Sequence, residues 1–154
     1  MTELKQGLFI KSTALLKETV FEQAYILIAE HNDRGALGFM VNKAFGRNLN
    51  ELEEFKHSLA FPIYSGGPVD QEHLYFVHHR PDVIAEGELI ANDMFFGGNF
   101  QQAVAAINNR TLTTADLKIF IGYCGWDAGE LEAEIEEGSW VIEEGMSEEV
   151  FMNW

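Results

Sequence analysis

Apolar positions along the chain group into short runs that turn-forming residues separate. The run from Tyr25 to Ala29 shows no alternation of apolar and polar residues, which is typical of a strand buried on both faces. Asn32 to Gly35 form a turn cluster in which Gly35 is suited to a positive φ, and Ala36 to Asn42 return as a second strand. The pattern therefore predicts a hairpin, preceded by a strand from Gly7 to Ser12.

Further short runs predict more strands and a few helices. Strands are predicted over 63–65, 73–79, 86–90 and 118–124. Helices are predicted over 49–55, over 100–109 and from Asp127 to Gly138, capped by Asn48, Asn99 and Asp127. Hairpins with interspersed helices indicate a mixed α+β fold rather than a regular βαβ array. The length of 154 residues predicts a single domain over 1–154.

The charge of the chain is strongly negative and unevenly distributed. The formal net charge is −15, and no Lys or Arg follows Lys118, whereas ten acidic residues lie between Asp127 and Glu149. Binding to nucleic acid needs cationic side chains that neutralise phosphates, so we expect no direct contact with DNA. The acidity predicts a solvated face, with a surface for a basic partner or cations as the alternative.

The chain also lacks the usual signals for export. No apolar run approaches the length of a membrane span, and no basic stretch followed by an apolar stretch stands at the start. One cysteine cannot form an intramolecular disulfide, which fits a reducing compartment. We therefore expect a cytoplasmic protein without membrane contact.

Few residues form a pattern that carries known chemistry. Cys124 precedes a predicted helix, which would favour a nucleophilic thiolate, although a small apolar role at a strand end is the preferred interpretation. His31, next to Glu30, is a candidate general base, with a turn histidine held by a hydrogen bond as the alternative. No metal-ligand spacing and no phosphate-binding glycine motif occurs, so no metal or cofactor is predicted.

Three ordered blocks resemble the AlgH/YqgE family of bacterial proteins. They are Glu30-His31-Asn32 with Gly35 to Asn42, the turn Gly66-Gly67-Pro68-Val69, and Gly122-Tyr123 with Gly125-Trp126 leading to Ser139-Trp140. This chain departs from the family pattern at Ala14, Cys124 and Glu130. The resemblance implies a compact domain with a mostly antiparallel, partly closed sheet surrounded by helices. It implies no established reaction, and its link to transcriptional regulation comes from a member associated with exopolysaccharide control.

The three blocks predict a regulatory or binding module. Its ligand or partner surface would combine Glu30, His31, Asn32, Gly66, Gly67, Pro68, Tyr123 and Trp126, because aromatic rings and glycine backbone donors in turns suit recognition of a small molecule or a protein. One alternative is a hydrolase or transferase with a site near Glu30, His31 and the segment Gly122 to Trp126, using Cys124 as a further candidate. A second alternative is a transcriptional regulator that binds DNA directly.

Overall fold

Ten strands form one mostly antiparallel sheet in the computed structural model, which describes residues 3–143. The strands are β1 (Phe9–Ser12), β2 (Tyr25–Asn32), β3 (Gly35–Met40), β4 (Ala44–Asn48), β5 (Pro62–Ser65), β6 (Val69–His78), β7 (Glu88–Ala91), β8 (Met94–Phe96), β9 (Leu117–Asp127) and β10 (Trp140–Glu143). Their spatial order is β10-β1-β2-β3-β9-β6-β8-β7, with β4 and β5 attached beside β9. Among the strand pairs within residues 3–143, only that of β5 with β9 is parallel.

Helices play a smaller part than the resemblance implies. The α-helices are α1 (Phe100–Asn108) and α2 (Glu130–Glu136), and 3-10 turns occupy Ala14–Leu16, Leu49–Glu51 and Glu53–Phe55. The description of a sheet surrounded by helices is therefore overstated for the described residues, while the α+β class is confirmed. The predicted helix over 49–55 is two 3-10 turns because Leu52 takes an extended conformation, with φ −86° and ψ 134°, between them.

Three apolar clusters show how the sheet is packed. Strands β1, β2, β3, β6, β7, β8 and β9 all contribute to one cluster, the inner core, around which the sheet curls; its largest side chains include Phe9, Phe39 and Phe120. A second cluster lies under α1 and a third lies under α2 on the outer faces of the sheet. The side-chain amide of Gln6 donates to the carbonyl of Ile90 at 3.0 Å, which ties the start of the chain to β7.

The hairpin and the α1 cap are as the sequence predicts. Strands β2 and β3 pair around a turn in which Gly35 has a φ of 135°. The Oδ1 atom of Asn99 accepts the backbone N–H of Gln102 at 3.0 Å, as an N-cap side chain should. Strand β6 begins at Val69 rather than at residue 73, and β4, β8 and β10 were not predicted.

Strand β9 is longer than the predicted strand over 118–124 and continues through Gly125 and Trp126 to Asp127. Phe120 and Tyr123 both face the inner core, although strict alternation would place them on opposite faces. Gly122 lies at this break in the alternation, and its φ of 74° is the left-handed conformation that a β-bulge uses. The register between β9 and β6 also shifts here, between Val69 and Leu74. The strand can therefore continue to Asp127 and pair with β3.

The last helix begins later than the capping pattern predicts. Asp127 ends β9, and Gly129, with a φ of 78°, precedes the first residue of α2. Glu130 still accepts the backbone N–H of Asp127 through Oε1 at 3.2 Å, which is one of the two hydrogen bonds of a capping box. Of the acidic C-terminal residues, Glu144, Glu148 and Glu149 lie outside the described residues. Within residues 3–143, no helix has the length and apolar character needed to cross a membrane.

Candidate functional site

The three sequence blocks meet on β9. Residues Gly35 to Gly38 of β3 pair with Asp127 to Cys124 on one edge of the strand, and the turn that contains Asn32 lies at the end of this pairing. Ser65 of β5 lies beside Ile121 on the same edge, whereas Val69 of β6 lies opposite Tyr123 on the other edge. The segment between them, Gly66-Gly67-Pro68, therefore crosses β9.

Glycine is needed at this crossing because two backbones approach closely. A Cβ atom at Gly67 would lie 2.2 Å from the carbonyl carbon and oxygen of Tyr123. Gly66 donates its N–H to the carbonyl of Ile121 at 2.8 Å and accepts the N–H of Met40, also at 2.8 Å. The block is thus a structural bridge that holds β3 and β5 along one edge of β9.

The structure separates Glu30 from His31. Residues that pair across neighbouring strands share a face, so Glu30 lies on the face of Leu37 and His31 on the face of Ala36. Leu37 packs against the inner core, whereas Ala36 packs against the cluster under α2. The two side chains therefore face opposite sides of the sheet, because successive residues of a strand alternate between its faces.

Glu30 and its neighbours line an open cleft of about 440 Å³ at the end of the inner core, here called the β9 cleft. Its lining consists of Glu30, Asn32, Arg34, Gly35, Ala36, Leu37, Val69, Tyr123, Gly125, Trp126 and Asp127. Four of the eight residues expected to form a ligand or partner surface, Glu30, Asn32, Tyr123 and Trp126, are among them. Gly67 and Pro68 line a different depression of about 310 Å³ together with Met40 and Gln71.

Several polar groups of the β9 cleft have no partner among residues 3–143. Glu30, Arg34 and Asp127 form no ion pair there, and the hydroxyl of Tyr123 forms no hydrogen bond there. Asn32 is different, because its Oδ1 atom accepts the backbone N–H of Arg34 at 2.8 Å and so holds the turn. The cleft therefore presents two carboxylates, one guanidinium and one phenol around an apolar floor formed by Leu37 and Val69.

His31 and Trp126 connect the sheet to α2. The Nε2 atom of His31 lies 3.1 Å from Oε2 of Glu132. The Oε1 atom of Glu134 accepts hydrogen bonds from the indole nitrogens of Trp126 and Trp140, each at 3.0 Å. Trp126 is 8% exposed, so its indole belongs to the packing under α2 and the cleft borders only a small part of this residue.

Cys124 does not have the environment of a nucleophile. Its side chain is 1% exposed in the cluster under α2, and its Sγ donates to the carbonyl of Gly66 at 3.4 Å. Burial raises the pKa of the thiol to about 12, so the thiol stays protonated at neutral pH. The small apolar role proposed for this cysteine is the one its surroundings support.

The sequence did not reveal a polar cluster on β6 beside Tyr123. Asp70 accepts hydrogen bonds from the Tyr75 hydroxyl at 2.5 Å and from Nδ1 of His73 at 2.6 Å. These two bonds, first from Tyr75 and then from His73, lower the pKa of Asp70. Burial, followed by the bond to Asp70, raises the pKa of Tyr75 to about 12. The Tyr75 and Tyr123 rings meet edge to face, with centroids 5.5 Å apart.

Lys118 is a second unexpected feature. In the sequence Leu117-Lys118-Ile119 the lysine occupies a position that alternation assigns to a solvated face, yet it is 1% exposed because the sheet curls over it. Its Nζ donates to the Tyr64 hydroxyl at 3.1 Å and lies 4.5 Å from the centroid of that ring. Burial lowers the pKa of Lys118 to about 8. Neither Lys118 nor Tyr64 lines the β9 cleft.

The fold and the cleft define an α+β protein with a curled, mostly antiparallel sheet and a polar cleft beside its central strand. The chain belongs to the AlgH-like family (DUF179), whose profile matches residues 8–153. This membership confirms the resemblance found in the three sequence blocks.

Relatives support the same family over nearly the full chain. A UPF0301 protein of Chlorobaculum parvum is 35% identical over 148 residues, covering 96% of this chain and 79% of the relative. A UPF0301 protein of Cytophaga hutchinsonii is 34% identical over 150 residues, covering 97% and 82%. The descriptions of these relatives name no reaction and no ligand, and the molecular function remains undetermined.

Two solved structures share the fold. The solution structure of the AlgH protein from Pseudomonas aeruginosa superimposes with a TM-score of 0.73 at 26% identity, covering 94% of this chain and 80% of that one. The crystal structure of protein DIP2367 from Corynebacterium diphtheriae gives a TM-score of 0.71 at 22% identity, covering 92% and 76%.

Proposed function

We propose that this protein is a cytoplasmic binding module with a regulatory role, that it recognises a small polar molecule in the β9 cleft, and that it does not contact DNA directly. The observation that supports this is the set of polar groups, without partners among residues 3–143, around the apolar floor of a cleft of about 440 Å³. A few converging polar groups over an apolar floor are typical of small-molecule sites. The single cysteine, a free and buried thiol, fits the cytoplasm.

The charges of the β9 cleft favour a ligand that carries a positive group. Glu30 and Asp127 supply two carboxylates, and Arg34 supplies one cation. An ammonium or amidinium group suits the carboxylates, and a carboxylate or phosphate elsewhere on the same molecule suits Arg34. The face of Tyr123 would hold the uncharged part of the ligand. A polyanion such as DNA would be repelled, because this mixed surface lies on a chain of net charge −15.

The separation of Glu30 from His31 and the burial of Cys124 give no support to a hydrolase or transferase that uses them. Direct DNA binding has a simple test in a mobility-shift assay at low salt, where electrostatic attraction is strongest. We expect no shift at micromolar protein, and a shift there would overturn this part of the proposal.

The ligand class can be tested by NMR titration with three sets of metabolites: cationic, zwitterionic and anionic. We expect cationic or zwitterionic compounds to move the amide resonances of Leu37, Tyr123 and Gly125. Replacement Tyr123→Phe removes only the hydroxyl, so affinity should fall about 3- to 10-fold, the range of one hydrogen bond. Glu88→Gln, an exposed change on β7, should leave affinity unchanged.

Two results would contradict the proposal. One is that no compound in the three sets perturbs these amides at millimolar concentration. The other is that binding compounds perturb resonances away from the β9 cleft and are insensitive to Tyr123→Phe.

A further inference from the structure

A second concave surface lies between the 3-10 turns, β6 and the start of α1. It encloses about 550 Å³ and is here called the α1 groove. Its floor is formed by Leu52, Phe55, Leu74, Phe100 and Ile121, all of which are only partly buried against the core cluster under α1. This is an apolar surface that the folded chain leaves uncovered within residues 3–143.

The aromatic part of this floor is held in place. The rings of Phe55 and Phe100 pack edge to face, with centroids 5.6 Å apart and an angle of 89°. Phe100 also packs against Phe76 at 5.2 Å. Because these rings are ordered before a partner arrives, binding to them costs little side-chain entropy. Fixed aromatic residues are also frequent among the residues that dominate interface energies.

The rim of the α1 groove is mostly acidic. Glu53, Glu54 and Glu72 line it, and Glu54 and Glu72 form no ion pair with the described residues. Glu53 is paired with Lys56 at 3.1 Å on the protein surface, so that cation is already engaged. The imidazole of His73 is likewise held by Asp70. The rim therefore attracts positive charge while the floor accepts apolar side chains.

We propose that the α1 groove is a docking site for a basic amphipathic segment of a partner protein. The segment places one or two large apolar side chains on the floor, and its Lys or Arg residues reach Glu54 and Glu72. A second copy of this chain is disfavoured as the occupant, since two molecules of net charge −15 repel each other. The α1 groove is separate from the β9 cleft, so this proposal does not depend on a ligand there.

The probe is a fluorescein-labelled amphipathic peptide of about twelve residues, built from leucine, one tryptophan and lysine. One matched peptide carries glutamate at every lysine position, and another carries serine at every leucine position. Fluorescence anisotropy at low salt should show binding of the basic amphipathic peptide alone. NMR titration of the unaltered protein should move amides of residues 52–55, 72–74, 100 and 121.

Variants then test floor and rim separately. Phe55→Ala should weaken binding about 30-fold or more, as loss of a central aromatic contact does, while Leu89→Ala, a 56% exposed apolar residue on β7, should have no effect. The double variant Glu54→Gln/Glu72→Gln should weaken binding about 3- to 10-fold at low salt, and the difference should fade near about 0.5 M salt. The control is the double variant Glu88→Gln/Glu136→Gln, which changes the net charge by the same amount at exposed positions away from the α1 groove.

Specific outcomes would overturn the proposal. Equal binding of the serine peptide, or an equal effect of the two double variants, would mean that net charge alone drives association. Equal binding of the glutamate peptide would mean that the acidic rim plays no part in recognition. Amide shifts elsewhere would locate the peptide outside the α1 groove even if Phe55→Ala fails to fold. A concentration-dependent mass near twice 17.4 kDa in the absence of peptide, abolished by Phe55→Ala, would assign the surface to self-association instead.

Discussion

Replacement of Glu134 on α2 should weaken the attachment of that helix to β9. One carboxylate oxygen accepts hydrogen bonds at 3.0 Å from the indole nitrogens of both Trp126 and Trp140. These tryptophans are 8% and 1% exposed, so water cannot readily replace the acceptor. A buried donor left without a partner costs about 1–3 kcal/mol. Glu134→Ala should therefore lower the free energy of unfolding by about 2–5 kcal/mol.

Two further variants separate the hydrogen bonds from helix propensity and charge. Glu134→Gln keeps a side-chain oxygen acceptor and should cost about 1–2 kcal/mol, because only the charge on the acceptor is lost. Glu136→Ala, at an exposed position of the same helix, should stay within about 0.5 kcal/mol of the unaltered protein. Urea denaturation followed by far-UV circular dichroism measures all three. If Glu134→Ala and Glu136→Ala agree within about 0.5 kcal/mol, the two indole bonds do not stabilise the fold.

Three other predictions address burial and close packing. Cys124 should react with a disulfide reagent about 100-fold more slowly than a free thiol until the protein is denatured, and rapid labelling of the native protein would contradict its raised pKa. His78 is fully buried, accepts the Arg80 N–H through Nδ1 and bonds the carbonyl of Gly97 through Nε2, and burial lowers its pKa. His78 therefore binds a proton more readily in the unfolded chain than in the folded chain. The free energy of unfolding should fall as pH drops below about 6.5, by at most about 1.4 kcal/mol per pH unit. His78→Gln should remove this part of the slope in urea denaturation at pH 7 and 5.5, and an unchanged slope would show that His78 is not responsible. Gly67→Ala should lower the free energy of unfolding by about 3 kcal/mol or more, because the new Cβ atom would clash with the backbone of Tyr123. Gly97 has a φ of 71° and open space around it, so Gly97→Ala should lower it by only about 1 kcal/mol. Thermal denaturation compares the two variants.

Local patterns predicted those parts of the fold that neighbouring residues determine. The hairpin of β2 and β3 follows from an apolar run, a turn cluster and a second run, and the cap of α1 follows from Asn99. The bulge at Gly122 is different, since it forms because β6 and β3 pair with different halves of one strand. The predicted end of the strand at residue 124 and the Asp127 cap were wrong for that reason, because long-range pairing extends β9 beyond Cys124.

The composition of the site shows the same division between local and long-range information. The sequence blocks contain Glu30, Asn32, Tyr123 and Trp126, all of which border the β9 cleft. Strand alternation alone could have separated His31 from Glu30. No local signal indicated that Asp70 and Tyr75 lie beside Tyr123, or that Lys118 is buried. Those placements depend on which strands become neighbours when the sheet curls.

The arrangement of β9 also bears on whether the two proposed surfaces communicate. Ile121 belongs to the floor of the α1 groove and Tyr123 to the wall of the β9 cleft, and only Gly122 separates them. The bulge turns their side chains to opposite faces, and β6 pairs with both residues, so neither can shift without breaking sheet hydrogen bonds. A ligand changes affinity at a second site only if it favours a different conformation of the protein. We therefore expect saturation of the α1 groove with the basic peptide to change the affinity of a β9-cleft ligand by less than about twofold, as measured by calorimetry. A larger change would require a second conformation of β9, and the Gly122 bulge is where that conformation would arise.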